Sequence, residues 1–287
     1  RQLYNVAKPN ERGPSIMKTL RVNDYDMSYL ELGEGPPLVC VHGSLNDFRA
    51  WSGVLGGLSA GRRLIVPSLR HYFPERWDGQ GGNFKMAQHV DDMIAFLEAL
   101  ALGPVDLIGH SRGGHLAFRL ASKRPDLLRK LVLAEPGGVL EDSLIPEDAK
   151  GDGPAAGSRE HVTQASEKIA VGDLEGGLQA FIDGINGPGA WETLPAAERQ
   201  MREDNAYTLI AQVNEGRQPY RREEAEALSL PTLFVIGGDT PGMLPIISRV
   251  LAGLVPGAET AVTPHAGHSM FRHQPKAFCA AVLPFLA

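Results

Sequence analysis

The chain has 287 residues, of which 43% are hydrophobic and 22% are charged, and its formal net charge is −6. This length and apolar content are enough for one hydrophobic core with an inserted segment, and they exclude a disordered chain. The acidic balance excludes nucleic acid as a partner, and no apolar stretch reaches the roughly 20 residues that a membrane span needs.

The N-terminal part of the chain predicts an extension followed by a hairpin. Residues 1–17 are polar and lack the apolar core of a secretory signal, so we predict an extension outside the core and a cytoplasmic protein. Residues 19–22 and 27–32 are runs of strand-forming residues on either side of Asn23 and Asp24. Because Asn and Asp tolerate a tight turn, this segment predicts two antiparallel strands.

From Pro37 onward, apolar runs alternate with segments of helical spacing. The runs 36–41 and 63–67 are mainly apolar, which is typical of strands buried on both faces of a sheet. The segment 86–100 carries apolar residues at helical spacing and predicts a helix packed on that sheet. This alternation predicts a mostly parallel sheet covered by helices on both faces.

A strand–turn–helix segment in the middle of the chain carries the candidate nucleophile. The turn Gly109-His-Ser111-Arg112-Gly113 follows the apolar run 105–108 and precedes an amphipathic helix. Its glycines leave room for tight backbone packing, so that the serine hydroxyl is exposed at the end of the sheet. The amide of Arg112 is the first of the helix and is suited to stabilising negative charge. We predict Ser111 as the nucleophile.

A second turn supplies a further backbone amide. His42-Gly43-Ser44 ends the run 36–41, and a glycine after a central strand lets the backbone turn its amides inward. A tetrahedral oxyanion needs two N–H donors, and we assign them to the backbone amides of Ser44 and Arg112.

A serine hydroxyl becomes a good nucleophile only when a neighbouring base takes its proton. His268 follows a small Ala-Gly pair, in a loop between a predicted edge strand at 260–263 and a terminal helix at 275–286. We favour His268 as the base because of this position. His265 and His273, on either side of it, are interpreted as exposed or structural histidines.

These three motifs together resemble the alpha/beta-hydrolase family, over nearly the whole chain from about Lys18 onward. In that family the oxyanion loop, the serine, the acid and the histidine follow one another along the chain, and His42, Ser111 and His268 match this order. The resemblance implies an alpha/beta-hydrolase fold, with a mostly parallel eight-stranded sheet flanked by helices and a helical cap above the serine.

The cap is predicted from the place where the strand–helix alternation stops. Residues 138–229 contain loops rich in Pro, Gly and charge between short helical patterns, and we predict them as a helical cap inserted into the core. The core then comprises residues 18–137 and 230–287. The predicted cap helices cover 159–171, 174–186 and 196–212.

The acid of the triad has two candidates. The family commonly places it in a turn after a later strand, where the expected position holds Thr240 and Asp239 stands one residue early. The family also places it directly after the strand that follows the nucleophile helix, where Glu135 ends the run 131–134. We favour Glu135, because a carboxylate that leaves an apolar run needs a partner and the imidazole of His268 would supply one. Asp239 stays the alternative.

The implied chemistry is acyl transfer through an acyl-enzyme, without cofactor or metal, and with a small apolar ester as the leading substrate. Carbon–carbon bond hydrolysis and cofactor-free perhydrolase or haloperoxidase chemistry would use the same residues. A non-catalytic small-molecule receptor of the same fold is the alternative from a different class. Phe181 and Ile185 are candidates to line a pocket. The candidates for substrate contacts are His42, His71, Tyr72 and Trp191.

Overall fold

The computed structural model describes residues 16–150 and 160–287. Within these residues, eight strands form one sheet flanked by helices, which confirms the predicted fold class. The predicted extension, residues 1–17, lies largely outside the described part, and the first strand already begins at Ile16. The strands are β1 (Ile16–Val22), β2 (Tyr25–Leu32), β3 (Pro37–Val41), β4 (Arg63–Pro67), β5 (Val105–His110), β6 (Leu128–Ala134), β7 (Thr232–Gly237) and β8 (Glu259–Thr263).

Helices connect most of the parallel strands, and a further group of helices lies between β6 and β7. The helices of the core are α1 (Leu55–Leu58), α2 (Met86–Leu100), α3 (Arg112–Lys123), α9 (Met243–Leu254), α10 (Met270–His273) and α11 (Pro275–Leu286). The helices between β6 and β7 are α4 (Glu160–Ala170), α5 (Leu174–Asn186), α6 (Ala196–Asp204), α7 (Thr208–Gln212) and α8 (Arg222–Glu226).

The sheet has the strand order β1-β2-β4-β3-β5-β6-β7-β8. β2 pairs antiparallel with both of its neighbours, and the remaining pairs are parallel. The predicted hairpin is confirmed: Val22 pairs with Tyr25, and Asn23 and Asp24 between them have φ of 42° and 64°. Positive φ at both central residues is what the type I′ turn of a two-residue hairpin requires.

Successive residues of the central strands are buried on opposite faces of the sheet. Leu38 and Cys40 of β3 pack in a cluster with α11, whereas Val39 and Val41 pack in a second cluster with α2 and α3. Both faces are therefore covered, as parallel sheets require. The carboxyl ends of β3, β5, β6, β7 and β8 meet at one edge of the sheet, where folds of this kind bind their ligands.

The interval 138–229, predicted as the cap, contains α4 to α8 and has a hydrophobic cluster of its own. Phe181 and Trp191 belong to this cluster, together with Leu45 from the loop after β3. The helices α4 to α8 are called the cap helices below, and this cluster packs them on one of the loops at the carboxyl edge of the sheet.

The prediction of one helix over 196–212 is wrong in one respect, because the structure divides this segment into α6 and α7. Asn205 lies between them, outside α-helical geometry, with φ of −111° and ψ of 5°. Its side chain accepts from the backbone N–H of Phe73 at 2.7 Å and donates to Asp47 at 2.8 Å. These contacts with the core hold the chain where the helix is interrupted.

In the described ranges, no helix is both long and apolar enough to cross a bilayer. Cys40 is buried in β3 and Cys279 is half-buried in α11, and both are free thiols.

Candidate active site

Ser111 lies in a strained turn between β5 and α3, with φ of 54° and ψ of −122°. A positive φ is costly for a residue with a side chain, so the surroundings must impose it. The N–H of Ser111 donates to the carbonyl of Ala134 at 3.1 Å, and its own carbonyl accepts from Gly137 at 2.8 Å. A side chain on Gly113 would collide with the carbonyl of His42, so only glycine lets α3 pack this closely on β3.

His268 and Glu135 form a buried pair next to this turn. The Nδ1 atom of His268 lies 2.7 Å from Oε2 of Glu135, and the other oxygen of Glu135 accepts from the N–H of Gly237 at 2.8 Å. Glu135 is completely buried, with φ of 42° directly after β6. Because a carboxylate only accepts, the neutral ring of His268 carries its proton on Nδ1 and its lone pair on Nε2. Nε2 is buried and meets no hydrogen-bond partner in the described residues.

Asp239, the alternative acid, forms no ion pair with His268 among the described residues. Its side chain is exposed, and its backbone N–H donates to the carbonyl of Ala266 at 2.9 Å. The turn after β7 therefore holds the Asp239 backbone, while the carboxylate of Glu135 reaches the imidazole of His268. The geometry favours Glu135 over Asp239, as the sequence does.

The two neighbouring histidines do not take part in this pair. His265 is exposed. His273 is also exposed, and its Nδ1 accepts from the backbone N–H of Gly267 at 3.2 Å. Partial desolvation of the ring lowers the pKa of His273, in keeping with a neutral ring that accepts a hydrogen bond. Both fit the structural interpretation given from the sequence.

The two amides assigned to the oxyanion have no competing acceptor in the parts of the chain that the structure describes. The amide of Arg112 opens α3, where the first N–H groups of a helix have no partner within the helix. The hydroxyl of Ser44 donates to Gln212 of α7 at 2.8 Å, which ties the loop after β3 to the cap. Both amides are therefore available to an oxyanion.

Ser111 and His268 line the same cavity beneath the cap. The cavity is small, about 20 Å³, which is room for about one water molecule. No hydrogen bond joins the Ser111 hydroxyl to His268 within the described ranges, and bonds of this kind commonly tighten only when substrate is present. The lining residues are Ser44, Asn46, His110, Ser111, Phe181, Ile182, Ile185, Asn186, Arg202, His268 and Ser269.

A larger depression, of about 700 Å³, lies elsewhere on the surface. It is lined by polar residues such as Asp91 and Lys123 and by no serine, cysteine or histidine. We therefore place the candidate chemistry in the smaller cavity, which contains a nucleophile beside a base.

The four candidates for substrate contacts do not line this cavity. His42 is fully buried: its Nδ1–H donates to the carbonyl of Gly43 at 2.8 Å, and its Nε2 accepts from the N–H of Leu69 at 3.0 Å. Burial lowers the pKa of His42 to about 4, so the ring is neutral and shapes the loop that carries the Ser44 amide. The ring of Tyr72 packs edge-on against His42, with centroids 4.7 Å apart.

The remaining two candidates are also structural. His71 stacks on Trp77 at 4.2 Å and lies 3.0 Å from a carboxylate oxygen of Glu75. Trp191 is buried in the cap cluster. Phe181 and Ile185, the candidates to line a pocket, do line the cavity. Aromatic side chains in the core and in the pocket have the same spacing, so the sequence could not separate them.

His110 is a residue of this site that sequence reasoning missed. Its Nε2–H donates to the carbonyl of His268 at 2.9 Å, and the two rings lie 4.5 Å apart. Burial lowers the pKa of His110 well below its ordinary value, and the ring therefore stays neutral. The only signal was its place directly before Ser111. The contact positions the loop that carries the candidate base.

The side chain of Arg112 anchors the start of α3 through buried contacts with other segments. It is buried, and its Nη2 lies 2.8 Å from a carboxylate oxygen of Glu215, which follows α7. The same nitrogen lies 2.6 Å from Nδ1 of His89. Burial and the neighbouring Arg112 charge lower the pKa of His89, which therefore accepts as a neutral ring. The residue after the candidate nucleophile is thus linked to the segment that returns from the cap.

We expect the change Glu215→Gln to lower the free energy of unfolding by about 3–5 kcal/mol, because it leaves the buried cation of Arg112 without its counter-charge. Urea denaturation measures this change. The control is Asp91→Asn, which breaks the exposed pair with Lys123 and is expected to cost at most about 1 kcal/mol. Equal losses in the two variants would contradict a special role for the buried pair.

Comparisons with known proteins show the family and the fold of this chain. The family model of the alpha/beta hydrolase fold matches residues 36–272. A 2-hydroxymuconate semialdehyde hydrolase from Pseudomonas putida is 28% identical over 96% of this chain and 96% of its own. Among solved structures, bromoperoxidase from Bacillus anthracis is similar with a TM-score of 0.77 at 21% identity, covering 94% of this chain and 99% of its own. Carboxylesterase CesB from Bacillus subtilis is similar with a TM-score of 0.73 at 16% identity, covering 95% and 92%.

Proposed function

Because the chain belongs to the alpha/beta hydrolase family, we propose that it is a serine hydrolase that cleaves a small ester through an acyl-enzyme on Ser111. The observation that carries this proposal is the buried pair of His268 and Glu135, 2.7 Å apart, which leaves Nε2 of the imidazole unprotonated in the cavity that Ser111 lines. A strained serine at a helix start beside a base of fixed tautomer is suited to nucleophilic catalysis.

In the first half of the proposed reaction, the Ser111 hydroxyl oxygen attacks the carbonyl carbon of the ester. Its proton moves to Nε2 of His268, and Glu135 stabilises the imidazolium that forms. The amides of Ser44 and Arg112 bind the oxyanion of the tetrahedral intermediate. When the intermediate collapses, the ester C–O bond breaks and the alcohol leaves with the proton from His268.

In the second half, water repeats the attack. His268 takes a proton from the water, the acyl carbon passes through a second tetrahedral intermediate, and the bond to Ser111 breaks. The serine oxygen recovers its proton from His268, and the free carboxylic acid leaves. Each step uses side chains and backbone amides of this chain, so the proposed reaction needs neither a cofactor nor a metal ion.

Hydrolysis of a carbon–carbon bond is the second candidate. The hydroxymuconate semialdehyde hydrolase from Pseudomonas putida favours it, because the likeness extends over nearly all of both chains. The same nucleophile, base and oxyanion amides would serve both reactions. Purified protein should be assayed with p-nitrophenyl esters and with a ring-cleavage dienoate, whose visible absorbance disappears on cleavage. If kcat/KM is higher for the dienoate than for the esters, the dienoate becomes the proposed substrate.

We expect a fluorophosphonate probe to label Ser111 with a stoichiometry of about one, because a serine activated by a base attacks phosphorus as it attacks an ester carbonyl. Mass spectrometry of the digested protein checks the stoichiometry and the labelled residue. Heat-denatured protein is the control and should remain unlabelled. If the folded protein takes up no label, the hydrolase proposal fails and a non-catalytic receptor of this fold becomes the better explanation.

A further inference from the structure

The cap places a buried guanidinium in the cavity next to Ser111. Arg202 of α6 is only 4% exposed and lines that cavity. Its Nη1 donates to the carbonyl of Leu45 at 3.2 Å and to Oδ1 of Asn46. Its Nε is buried and has no acceptor in the described residues, and the hydrogen bonds that the Arg202 side chain makes there come from Nη1. One edge of the guanidinium, Nε with Nη2, is therefore unoccupied.

No carboxylate of the described residues forms an ion pair with Arg202, although buried charges are ordinarily paired. The neighbouring buried cation, Arg272, donates to the same Oδ1 of Asn46 at 3.0 Å and pairs with Glu198 at 2.6 Å. The other carboxylate whose charge acts on Arg202, that of Asp47, is already paired with another arginine. Both nearby carboxylates are therefore engaged by other cations, and the residues that line the cavity include Arg202 but no acidic residue.

The positive charge of Arg202 is unfavourable while no anion pairs with it directly. Burial lowers the pKa of Arg202, and the positive charge of Arg272 lowers it further. A guanidinium nevertheless keeps its proton in a protein, so the cost remains as an uncompensated charge. A negatively charged group on the substrate would remove that cost.

We propose that Arg202 binds a carboxylate of the substrate, so that the preferred substrates are esters, or related carbonyl compounds, that also carry a carboxylate. This inference rests on the proposed hydrolase function and narrows its substrate class. A carboxylate, with one negative charge, matches the single guanidinium among the lining residues better than a phosphate does. The planar Nε–Nη2 edge also matches two carboxylate oxygens side by side.

The position of Arg202 also connects the cap with the oxyanion loop. Arg202 donates to Oδ1 of Asn46, and Nδ2 of Asn46 donates to the carbonyl of Ser44 at 3.2 Å. Arg202 is therefore two hydrogen bonds away from the residue whose amide would bind the oxyanion. Variants of Arg202 must accordingly be tested on charged and neutral substrates together.

The first test compares matched esters on the wild-type protein. The mono-p-nitrophenyl esters of glutaric and adipic acid are assayed against the p-nitrophenyl esters of pentanoic and hexanoic acid, after subtraction of the enzyme-free rates. We expect kcat/KM to be about 10- to 100-fold higher for the carboxylate esters, which is the worth of a hydrogen-bonded charge pair. Equal values, or a preference for the neutral esters, would overturn the inference and leave the hydrolase proposal intact.

The second test uses variants. Arg202→Met should remove the preference, so that kcat/KM falls about 10- to 100-fold further on the carboxylate esters than on the neutral ones. Arg202→Lys keeps the charge and should retain part of the preference. The control is Arg199→Met on the same helix, since Arg199 bonds to the backbone carbonyls of Glu192 and Leu194 and does not line the cavity.

Two further outcomes are informative. An equal loss on both ester classes in Arg202→Met would show that Arg202 only supports the loop after β3, and would overturn the inference. If that variant does not fold, glutarate is tested as a competitive inhibitor of pentanoate ester hydrolysis by the wild type, with inorganic phosphate alongside. Inhibition by glutarate supports the inference, whereas inhibition by phosphate alone, or by neither anion, overturns it. Absence of all ester hydrolysis would instead count against the proposed function.

Discussion

Replacing Ser111 with alanine is expected to lower kcat for p-nitrophenyl acetate by about 10⁵- to 10⁶-fold, the usual effect of removing the nucleophile of a triad. Without the hydroxyl, His268 has no bound nucleophile to deprotonate, and only the oxyanion amides and substrate binding contribute. We expect KM to change little by comparison, because the serine oxygen acts in the transition state rather than in binding. Steady-state kinetics over a range of ester concentrations separates the two parameters.

The fold should survive this change. The hydroxyl of Ser111 makes no hydrogen bond in the described part of the chain, and alanine adopts the same positive φ with similar strain. Thermal unfolding should therefore be almost unchanged. Ser143→Ala, at an exposed serine beyond β6, is the matched control and should keep the wild-type rate. An Ser111→Ala protein that hydrolyses the ester as the wild type does would show that the nucleophile lies elsewhere.

The turn at Ser111 was predictable because the steric constraint that forms it is local. Gly109 and Gly113 lie where the backbone packs too closely for side chains. The sequence shows this requirement directly, because both glycines are two residues from Ser111. Likewise, Asn23 and Asp24 fixed the opening hairpin through their own φ preferences. Features of this kind depend on a few consecutive residues, so they can be predicted from the sequence.

The pairing of the base depended instead on the order of strands. Glu135 and His268 lie 133 positions apart and meet because β6 and β7 are neighbours in the sheet, with β8 beside them. Single-sequence reasoning narrowed the acid to Glu135 or Asp239 through their places after strands. It could not show which carboxylate faces the imidazole, because that depends on tertiary contacts.

Arg202 was not predictable at all. It lies in a helix rich in charge, where neighbours such as Glu203 and Asp204 give the pattern of a solvated face. Its burial results from the packing of α6 on the loop after β3, which presents Leu45 and Asn46 to it. The burial of His42 and Tyr72 was equally hidden, because a loop sequence does not reveal which side chains turn into the core.

Replacing Glu135 with glutamine is expected to lower kcat by about 10³- to 10⁴-fold, while Asp239→Asn stays within about twofold of the wild type. The native carboxylate accepts two hydrogen bonds, from Nδ1 of His268 and from the N–H of Gly237. Glutamine offers one acceptor and one donor, so it cannot satisfy both partners in either orientation.

Each orientation of the amide has a distinct cost. If its oxygen keeps the bond to Gly237, its NH₂ faces Nδ1 of His268, which must then give up its proton; Nε2 becomes protonated and can no longer act as the base. If its oxygen faces His268, the NH₂ meets the N–H of Gly237, and two donors oppose each other at a buried site. The first orientation removes catalysis and the second removes stability.

Kinetics and unfolding measured on the same preparation distinguish these outcomes. Loss of kcat with unchanged thermal unfolding indicates the tautomer change, and the rate of fluorophosphonate labelling of Ser111 should fall in parallel, because labelling needs the same base. Asp239→Asn controls for the loss of a carboxylate from a neighbouring turn, since its side chain is exposed. A larger loss of kcat in Asp239→Asn than in Glu135→Gln would reassign the acid to Asp239, and the buried pair of Glu135 with His268 would then have to be purely structural.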